Sequence, residues 1–583
     1  MNRRKVFLKN LGAIFILLFI TACSTPSATT QATDLPSAIP LTLTPSATIT
    51  PSPAPAYIPP EHRIGVRVVD GIGEFYDRVT GEKFVPRGNN YIRLAQQKAY
   101  SGEIMNYHST FNVGFYDPDQ AEEALQRMHA DGYNTVRVFV HGNCQSGCIA
   151  DPAGGLNKEY IANVVDFLQK AKANEIYVIL TTDGEPATPY YINLLDTTWS
   201  EDFGGTNNNY LRGGGILVGK TFWLDFITEL NDQHAPVDAI LSYELRNEFF
   251  FETNAAPLNY TSGEVSTAKG KTYDMSSEEE KLQMMDEGMV YYIDQIRAAI
   301  LESDPTALVS MGFFPPDEPN PWPSAPRKVR TYAAIAGSTL DFLDFHPYPG
   351  GYSLDKLAEN FQMAGLEEKP IIMGEFGVSR SAYATEVDAA QALHDWEVDS
   401  CSYGFDGWLM WTWDSEEQTD FYNALMGGEL INQVLAPVNR PDPCQAGVFD
   451  FFEYNLALGK ATRASRFIEN ELPAGAVDGN TNFWWGAGDF APQWIQIDLG
   501  EPYSVGMIRL VVSQSPAGNT THQIWVGTTS DQLTLVHTFD GYTSDNQVLE
   551  YFPETPLENV RYVRVVTKAS PSWVAWKEIE VLE

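Results

Sequence analysis

The stretch "AILSYELRNEFFF", residues 239–251, decides how this chain is read. Its first half is a short apolar run, as a strand buried on both faces requires. Its second half sets Asn247 and Glu248 at the end of the run, followed by three phenylalanines. A carboxylate beside bulky apolar groups is costly to keep charged, so the glutamate needs a reason to stand there. Comparable runs occupy residues 84–91, 134–140, 176–182, 307–314, 340–346, 370–376 and 406–413. Most gaps between them hold an amphipathic helical pattern, such as "AEEALQRMHADG" or "KEYIANVVDFLQKAKAN". Eight strand-then-helix units within residues 61–450 predict a (β/α)8 TIM barrel, an α/β fold. A doubly wound sheet is the alternative. No glycine-rich phosphate loop follows the first strand, which counts against a nucleotide-binding version of it.

The pattern changes near residue 453. From there to residue 583, runs such as "QWIQIDLG", "GMIRLVVS", "THQIWVGT" and "YVRVVTK" alternate without long helices. They predict an all-β, jelly-roll-like antiparallel sandwich. The other end of the chain is an address. Arg3, Arg4, Lys5 and Lys9 precede the short apolar run "LGAIFILLFI", as in a signal peptide. The run stops at "ITACS", which resembles a bacterial lipobox, so residues 1–23 are read as a lipoprotein signal with Cys23 as the lipidated residue. Residues 24–60 are nearly all Ser, Thr, Pro and Ala and are expected to be a disordered tether.

Five cysteines less Cys23 leave four in an exported chain, which suggests the disulfides Cys144–Cys148 and Cys401–Cys444. The formal net charge of −38 repels nucleic acid and anionic lipid. Contact with a membrane is expected only through the lipid, and the chain is expected to be a monomer.

In a (β/α)8 barrel the active groups stand at the C-terminal ends of the strands. There the sequence places Arg137, Asn247, Glu248, His346, Tyr348, Glu375 and Trp411. Two glutamates, after the fourth and seventh strands, would face each other across the barrel mouth. Such a pair suits retaining glycoside hydrolysis, where one carboxylic acid protonates the leaving oxygen and the other carboxylate attacks the anomeric carbon. Arg137 would keep the attacking group anionic, and Asn247 would bond the sugar 2-hydroxyl. Tyr348 would orient the nucleophile, and Trp411 would offer an apolar platform. The phenylalanines beside Glu248 would raise its pKa, as a general acid requires.

The motifs "RGNNY", "NTVRVFV", "ELRNEF", "DFHPY", "KPIIMGEFG" and "WLMWTW", in this order, resemble glycoside hydrolase clan A, most closely family five. The resemblance implies that Glu248 is the acid/base and Glu375 the nucleophile. It also assigns substrate contacts to Arg137, Asn247, His346, Tyr348 and Trp411, with no catalytic cofactor. Two positions depart from the family pattern. Thr182 or Asp183 stands where many members have a histidine after the third strand, and Phe249 replaces the proline of the usual "NEP". Phe249 is a candidate groove residue, whereas Phe250 and Phe251 are read as packing. Trp199, Tyr210 and Trp322 either line a cleft or pack within loops.

The closing segments "NLALGKATRAS", "AVDGNTNFWW" and "WVAWKEIEV" resemble the discoidin-like, coagulation-factor C-type domain, grouped among carbohydrate-binding modules as family thirty-two. That resemblance implies a structural calcium ion held near Asp478, Asn480 and Glu578, with oxygen ligands. Trp485 and Trp494 are read as core, and Trp484 and Trp573 as candidate ligand contacts. Taken together, the sequence is read as an exported, membrane-anchored enzyme. Its expected substrates are β-linked poly- or oligosaccharides of glucan or mannan type. The rival reading is a non-catalytic glycan-binding or adhesion lipoprotein.

Overall fold

The structure is a computed structural model. It describes residues 58–583 apart from 100, 143, 321–326, 331–336, 384, 427–428, 447–454, 480, 482, 554 and 583. The signal segment, Cys23, most of the tether, Trp322 and Asn480 therefore lie outside the described residues.

Eight parallel strands form the larger body: β1 (Arg87–Asn90), β2 (Thr135–Phe139), β3 (Tyr177–Thr181), β4 (Ile240–Glu244), β5 (Val309–Ser310 and Gly312–Phe313), β6 (Leu343–Phe345), β7 (Ile371–Phe376) and β8 (Gly407–Met410). The order runs from the first piece of β5 through β4, β3, β2, β1, β8, β7 and β6 to the second piece of β5. The sheet thus closes on itself as a barrel, and closure excludes the doubly wound alternative. β5 is split at Met311. Val309–Ser310 pair with β4, and Gly312–Phe313 pair with β6. Gly312 has no room for a side chain, because a Cβ there would lie 1.8 Å from the Asn247 carbonyl.

The outer helices form where the sequence caps them. Asp117 accepts the Asp119 and Gln120 N–H groups ahead of Pro118–Ala130, which buries Ala121, Ala124, Leu125 and Met128 at helical spacing. Asn157 caps Lys158–Ala173 in the same way. The floor is closed by a hairpin, Ile64–Val69 paired with Ile72–Asp77. Asp70 and Gly71 at its turn have φ of 52° and 85°, as a two-residue Asp-Gly turn demands. Its Ile64 and Phe75 are fully buried against Ile179, Leu241, Leu308, Phe342, Ile372 and Leu409, which project inward at the base of the barrel. No helix among the described residues is long and apolar enough to cross a membrane.

The C-terminal part packs a five-stranded sheet on a four-stranded one, with all pairings antiparallel. Trp485 and Trp576 are buried in its core. Trp494, expected there, is half-buried under the Arg564 guanidinium, with Arg564 Cζ 4.7 Å from its ring centre. Strand alternation turns Trp494 away from the core that Ile495 and Ile497 fill. The cysteines pair as Cys144–Cys148 and Cys401–Cys444.

One cation joins sandwich to barrel. Arg509, on the strand Met507–Ser513, lies 2.6 Å from Glu580 and 2.9 Å from Glu550 of the sandwich, and 3.0 Å from Glu386 of the barrel. Glu386 opens the helix Glu386–Ser400 and also accepts the Leu430 N–H at 3.1 Å. Arg509, Glu386 and Glu580 are all nearly out of solvent. Burial, with Arg509 acting against it, pushes the Glu386 carboxyl up to about 7. Replacing Arg509 by Met leaves three carboxyl groups facing one another. We expect a loss of about 3–5 kcal/mol of unfolding free energy in urea titrations. A loss below about 1 kcal/mol would show that the junction does not depend on this cation.

Candidate active site

The site is built upward from one buried guanidinium. Arg137, on β2, has no exposed surface. Its Nη1 donates to Glu375 Oε1 at 2.6 Å and to Asn90 Oδ1 at 3.0 Å. Its Nε and Nη2 donate to Glu244 Oε1 at 3.0 and 2.6 Å, and Nη2 reaches Asn247 Oδ1 at 2.6 Å. Burial opposes the charge, but Glu244, Glu375 and Asp344 outweigh it and push the Arg137 pKa further up. Strands β1, β2, β4 and β7 are thereby fixed to one another at the mouth of the barrel.

A second layer orients β6 and β7. The Gly374 N–H donates to Asp344 Oδ1 at 2.6 Å, and a Cβ at Gly374 would meet the Asp344 oxygens at 2.0 Å. Glycine is therefore the residue that lets Glu375 stand beside that carboxylate. His346, fully buried, lies with Nδ1 3.0 Å from Glu248 Oε1 and 3.6 Å from Glu375 Oε2, and with Nε2 3.5 Å from Asp344 Oδ1. Burial works against an imidazolium at this position, yet Glu375, Asp344 and Glu248 together raise His346 to about 10. Four carboxyl groups thus share two cations. Burial, opposed by Arg137, raises Glu244 to about 8. Burial would also raise Asp344, but His346, Glu244 and Arg137 hold it below the ordinary value. Glu244 Oε2 and Asp344 Oδ2 are both buried without a donor, so a proton kept on Glu244 at neutral pH satisfies the two together.

Glu248 and Glu375 face each other above this base. One oxygen of each, and one nitrogen of His346, all lie within 4.8 Å of one another. No other set of three such donor groups converges among the described residues. A protonated His346 offers no lone pair to a metal. The Tyr348 hydroxyl donates to Glu375 Oε2 at 2.8 Å. Glu375 therefore receives donors on both oxygens, whereas Glu248 keeps one oxygen clear of them. Burial raises Glu248 to about 7; the His346 hydrogen bond acts against this and the Glu375 charge adds to it.

The pair opens into a cavity of about 670 Å³. Asn247, Glu248, His346, Tyr348, Glu375 and Trp411 all line it, and Arg137 lies beneath. Trp411 packs edge-on against Phe139, with ring centres 5.9 Å apart, and its peptide bond to Thr412 is cis.

A model of the cellulase family, glycosyl hydrolase family 5, matches residues 95–417, more than half of the chain. The chain belongs to glycosyl hydrolase family 5. A second model, the F5/8 type C domain, matches residues 460–579 of the same hydrolase. Among solved structures, it is similar to an endo-1,4-β-mannanase from Rhizomucor miehei at 15% identity. That alignment covers 65% of this chain and 100% of that one, with a TM-score of 0.46. The sandwich is similar to chitosan-binding module 2, solved with chitotriose, from a chitosanase/glucanase of Paenibacillus sp. IK-5. The identity is 28%, the coverage 22% of this chain and 99% of that one, and the TM-score 0.19. It is also similar to the family 32 module of C. perfringens NanJ, solved with galactose, at 20% identity, 21% and 94% coverage and a TM-score of 0.20. No curated protein matches the chain.

The cavity of the hydrolase also holds groups that its motifs did not reveal. A hairpin of Leu94–Lys98 and Ile104–His108, inserted after β1, carries Tyr107 and His108 into the cavity. Tyr107 donates to Asp183 Oδ2 at 2.7 Å, and Asn247 Nδ2 donates to Asp183 Oδ1 at 3.1 Å. His108 stacks on Phe139 at 3.8 Å, and its Nε2 lies 3.6 Å from Asp183. Burial keeps its pKa low, against the pull of Asp183. Asp183 thus takes the place after β3, and the histidine comes from the hairpin. Only the period-two pattern of "LAQQK" and "IMNYH" around a Ser-Gly turn could have hinted at this.

The phenylalanines divide differently from the sequence expectation. Phe249 is fully buried, edge-on to Tyr210 and Phe313, so it does not line the groove. Phe250, read as packing, lines the cavity. Tyr210 is core, and Trp199 is exposed away from the cavity.

In the sandwich, Glu578 is 1% exposed and accepts the Gly479 N–H at 3.3 Å, which brings the Asp478 turn to the last strand. Trp484, Phe490 and Trp573 are exposed around a separate depression of about 590 Å³.

The cation at His346 is open to measurement. Its folded-state pKa lies above the unfolded value of about 6.5. Its contribution to stability is then fully present below about pH 6.5 and is lost as the pH climbs toward 10. Nitrogen-15 spectra are expected to show both His346 nitrogens protonated at about pH 8. A neutral ring at that pH would contradict an imidazolium held by Glu375, Asp344 and Glu248.

Proposed function

We propose that this glycoside hydrolase cleaves β-glycosidic bonds in a glucan- or mannan-type polysaccharide, with retention of anomeric configuration. The observation that carries the proposal is the approach of Glu248 and Glu375 to within 4.8 Å at one cavity mouth. Retaining enzymes hold their carboxyl groups about 5–5.5 Å apart, whereas inverting enzymes leave about 6.5–9.5 Å for a water molecule. Glu248 is the general acid: it is protonated up to about pH 7, and it is the carboxyl with an oxygen clear of donors. Glu375 is the nucleophile, aimed by Arg137 and Tyr348. It attacks the anomeric carbon as Glu248 gives its proton to the departing oxygen. Glu248, now a base, then takes a proton from the water that releases the covalent intermediate. Asn247, which accepts from Arg137 and donates to Asp183, bonds the sugar 2-hydroxyl in this reading. Trp411 underlies the apolar face of the same sugar.

We propose further that the depression beside Trp484 and Trp573 binds glycan and raises the local concentration of substrate. A calcium ion would sit by Asp478 and Glu578. The buried carboxylate of Glu578 and the adjacent glycine turn suit an oxygen-liganded cation. Cys23 would carry lipid that tethers the exported enzyme, a reading supported by the sequence of residues 1–24.

Four outcomes test the catalytic reading. Glu248→Gln is expected to lower kcat/KM on β-glucan or β-mannan by about 10²–10⁴-fold. Glu375→Gln is expected to abolish turnover, and equal turnover by wild type and Glu375→Gln would favour a binding protein. Proton NMR of the first product formed should show the β-anomer, and initial formation of the α-anomer would exclude the double displacement. Because the Glu248 pKa is raised to about 7, kcat/KM should fall as pH rises through that value, and Glu248→Gln should lose this limb.

A further inference from the structure

The sandwich meets the barrel at the helix that follows the strand of Glu375. Glu386, which Arg509 approaches to 3.0 Å, opens the helix Glu386–Ser400, next after β7. In a (β/α)8 barrel the segment between a strand and its helix lies at the mouth. The neighbouring Thr385 caps the same helix by accepting the Asp388 N–H at 3.1 Å. A Cβ at Gly479 of the sandwich would lie 4.0 Å from the Thr385 methyl group. Two adjacent barrel residues thus face the sandwich, one by charge and one by close approach.

From that helix start, contacts lead back to the carboxylates. Gly377, next after β7, has no room for a side chain, because a Cβ there would lie 2.4 Å from the Trp411 carbonyl. Residues 378–383 then run along residues 420–422. The Tyr422 N–H donates to the Val378 carbonyl at 3.1 Å, and the Arg380 N–H to the Asp420 carbonyl at 2.9 Å. Ser379 bridges to Phe421 between them, and the Tyr422 hydroxyl donates to the Tyr383 carbonyl at 3.2 Å. Phe421 lines the cavity and stands edge-on to Tyr348, with ring centres 5.9 Å apart. Tyr348 is the donor to Glu375 Oε2 at 2.8 Å.

We infer that Arg509 of the sandwich is a positioning residue for the nucleophile. By holding Glu386 it fixes the ribbon of residues 378–383, and through Phe421 and Tyr348 it fixes the approach of Glu375 to the anomeric carbon. The inference rests on Glu375 being the nucleophile. Arg509 is suited to the task because Glu580 and Glu550 hold its other nitrogens at 2.6 and 2.9 Å. A planar fork clamped on the sandwich side dictates where the third carboxyl stands. Attack by a carboxylate is sensitive to small displacements, even when their origin is remote from the reacting atoms. The sandwich therefore acts on the chemical step itself, whether or not it holds glycan, and does so for substrates too short to reach its own surface.

The test reads the alignment of Glu375 directly. 2-Deoxy-2-fluoro-β-cellobiosyl and 2-deoxy-2-fluoro-β-mannobiosyl fluorides expel fluoride without a proton from Glu248 as a long-lived ester forms on the nucleophile. At saturating reagent, the rate constant of labelling, followed by intact mass, reports alignment. The fraction finally labelled reports how much protein is folded. For Arg509→Met and Glu386→Ala in the full chain, the rate constant is expected to fall about tenfold while labelling still runs to completion. Glu386→Ala leaves Arg509 paired with Glu550 and Glu580, and it decides the matter if Arg509→Met does not fold. Labelling of Glu386→Ala at the wild-type rate, whether complete or stopped short by unfolding, would overturn the inference and leave the catalytic reading standing. Wild type that takes no label from either fluoride, or takes it at a residue other than Glu375, would overturn the catalytic reading and this inference with it.

Discussion

The architecture at the barrel mouth depends on satisfying one guanidinium that water never reaches. An arginine buried this deeply is tolerable only if every donor finds an acceptor and its charge is balanced. Arg137 meets both conditions by drawing Asn90, Glu244, Asn247 and Glu375 to its planar fork. Those four residues come from β1, β4 and β7 or their ends, so the position of one carboxylate at the mouth is set by strands on three sides of the barrel. A lysine, with one nitrogen on a flexible stem, would not impose that geometry. The Glu244–Asp344 pair beneath supplies charge that Arg137 and His346 require, and it keeps the network neutral enough to stay dry.

Much of this was legible in the sequence, for physical reasons. Strands buried on both faces must be short apolar runs, and the eight runs fall where the strands are. Glu248 and Glu375 stood out because a charged residue ends each of two such runs. Glu244 and Asp344 were equally visible as acids inside apolar runs. Their role follows only from knowing that Arg137, far away in the chain, points into the same space. The Phe249–Phe250 reversal has a simple cause. Regular strand geometry in β4 stops at Glu244, and alternation of inward and outward positions cannot be projected beyond it. His108 was hidden because its hairpin is an insertion whose place above the cavity depends on packing rather than on any local pattern.

The sandwich shows the same dependence on long-range charge. Arg509 lies in an otherwise apolar strand, "MIRLVVS", as Arg137 does in "TVRVF". In both, a cation within a hydrophobic run marks a place where carboxylates from other elements converge. The strongly acidic composition of the chain therefore coexists with interior clusters in which positive and negative groups are matched closely.

The hairpin that seals the base has a bearing on traffic. With Ile64 and Phe75 packed among the inward-facing side chains of the floor, the described part of the barrel is filled beneath the carboxylates. Exchange with solvent at Glu248 and Glu375 is therefore confined to the rim, and a ligand held there lies across the fold rather than through it.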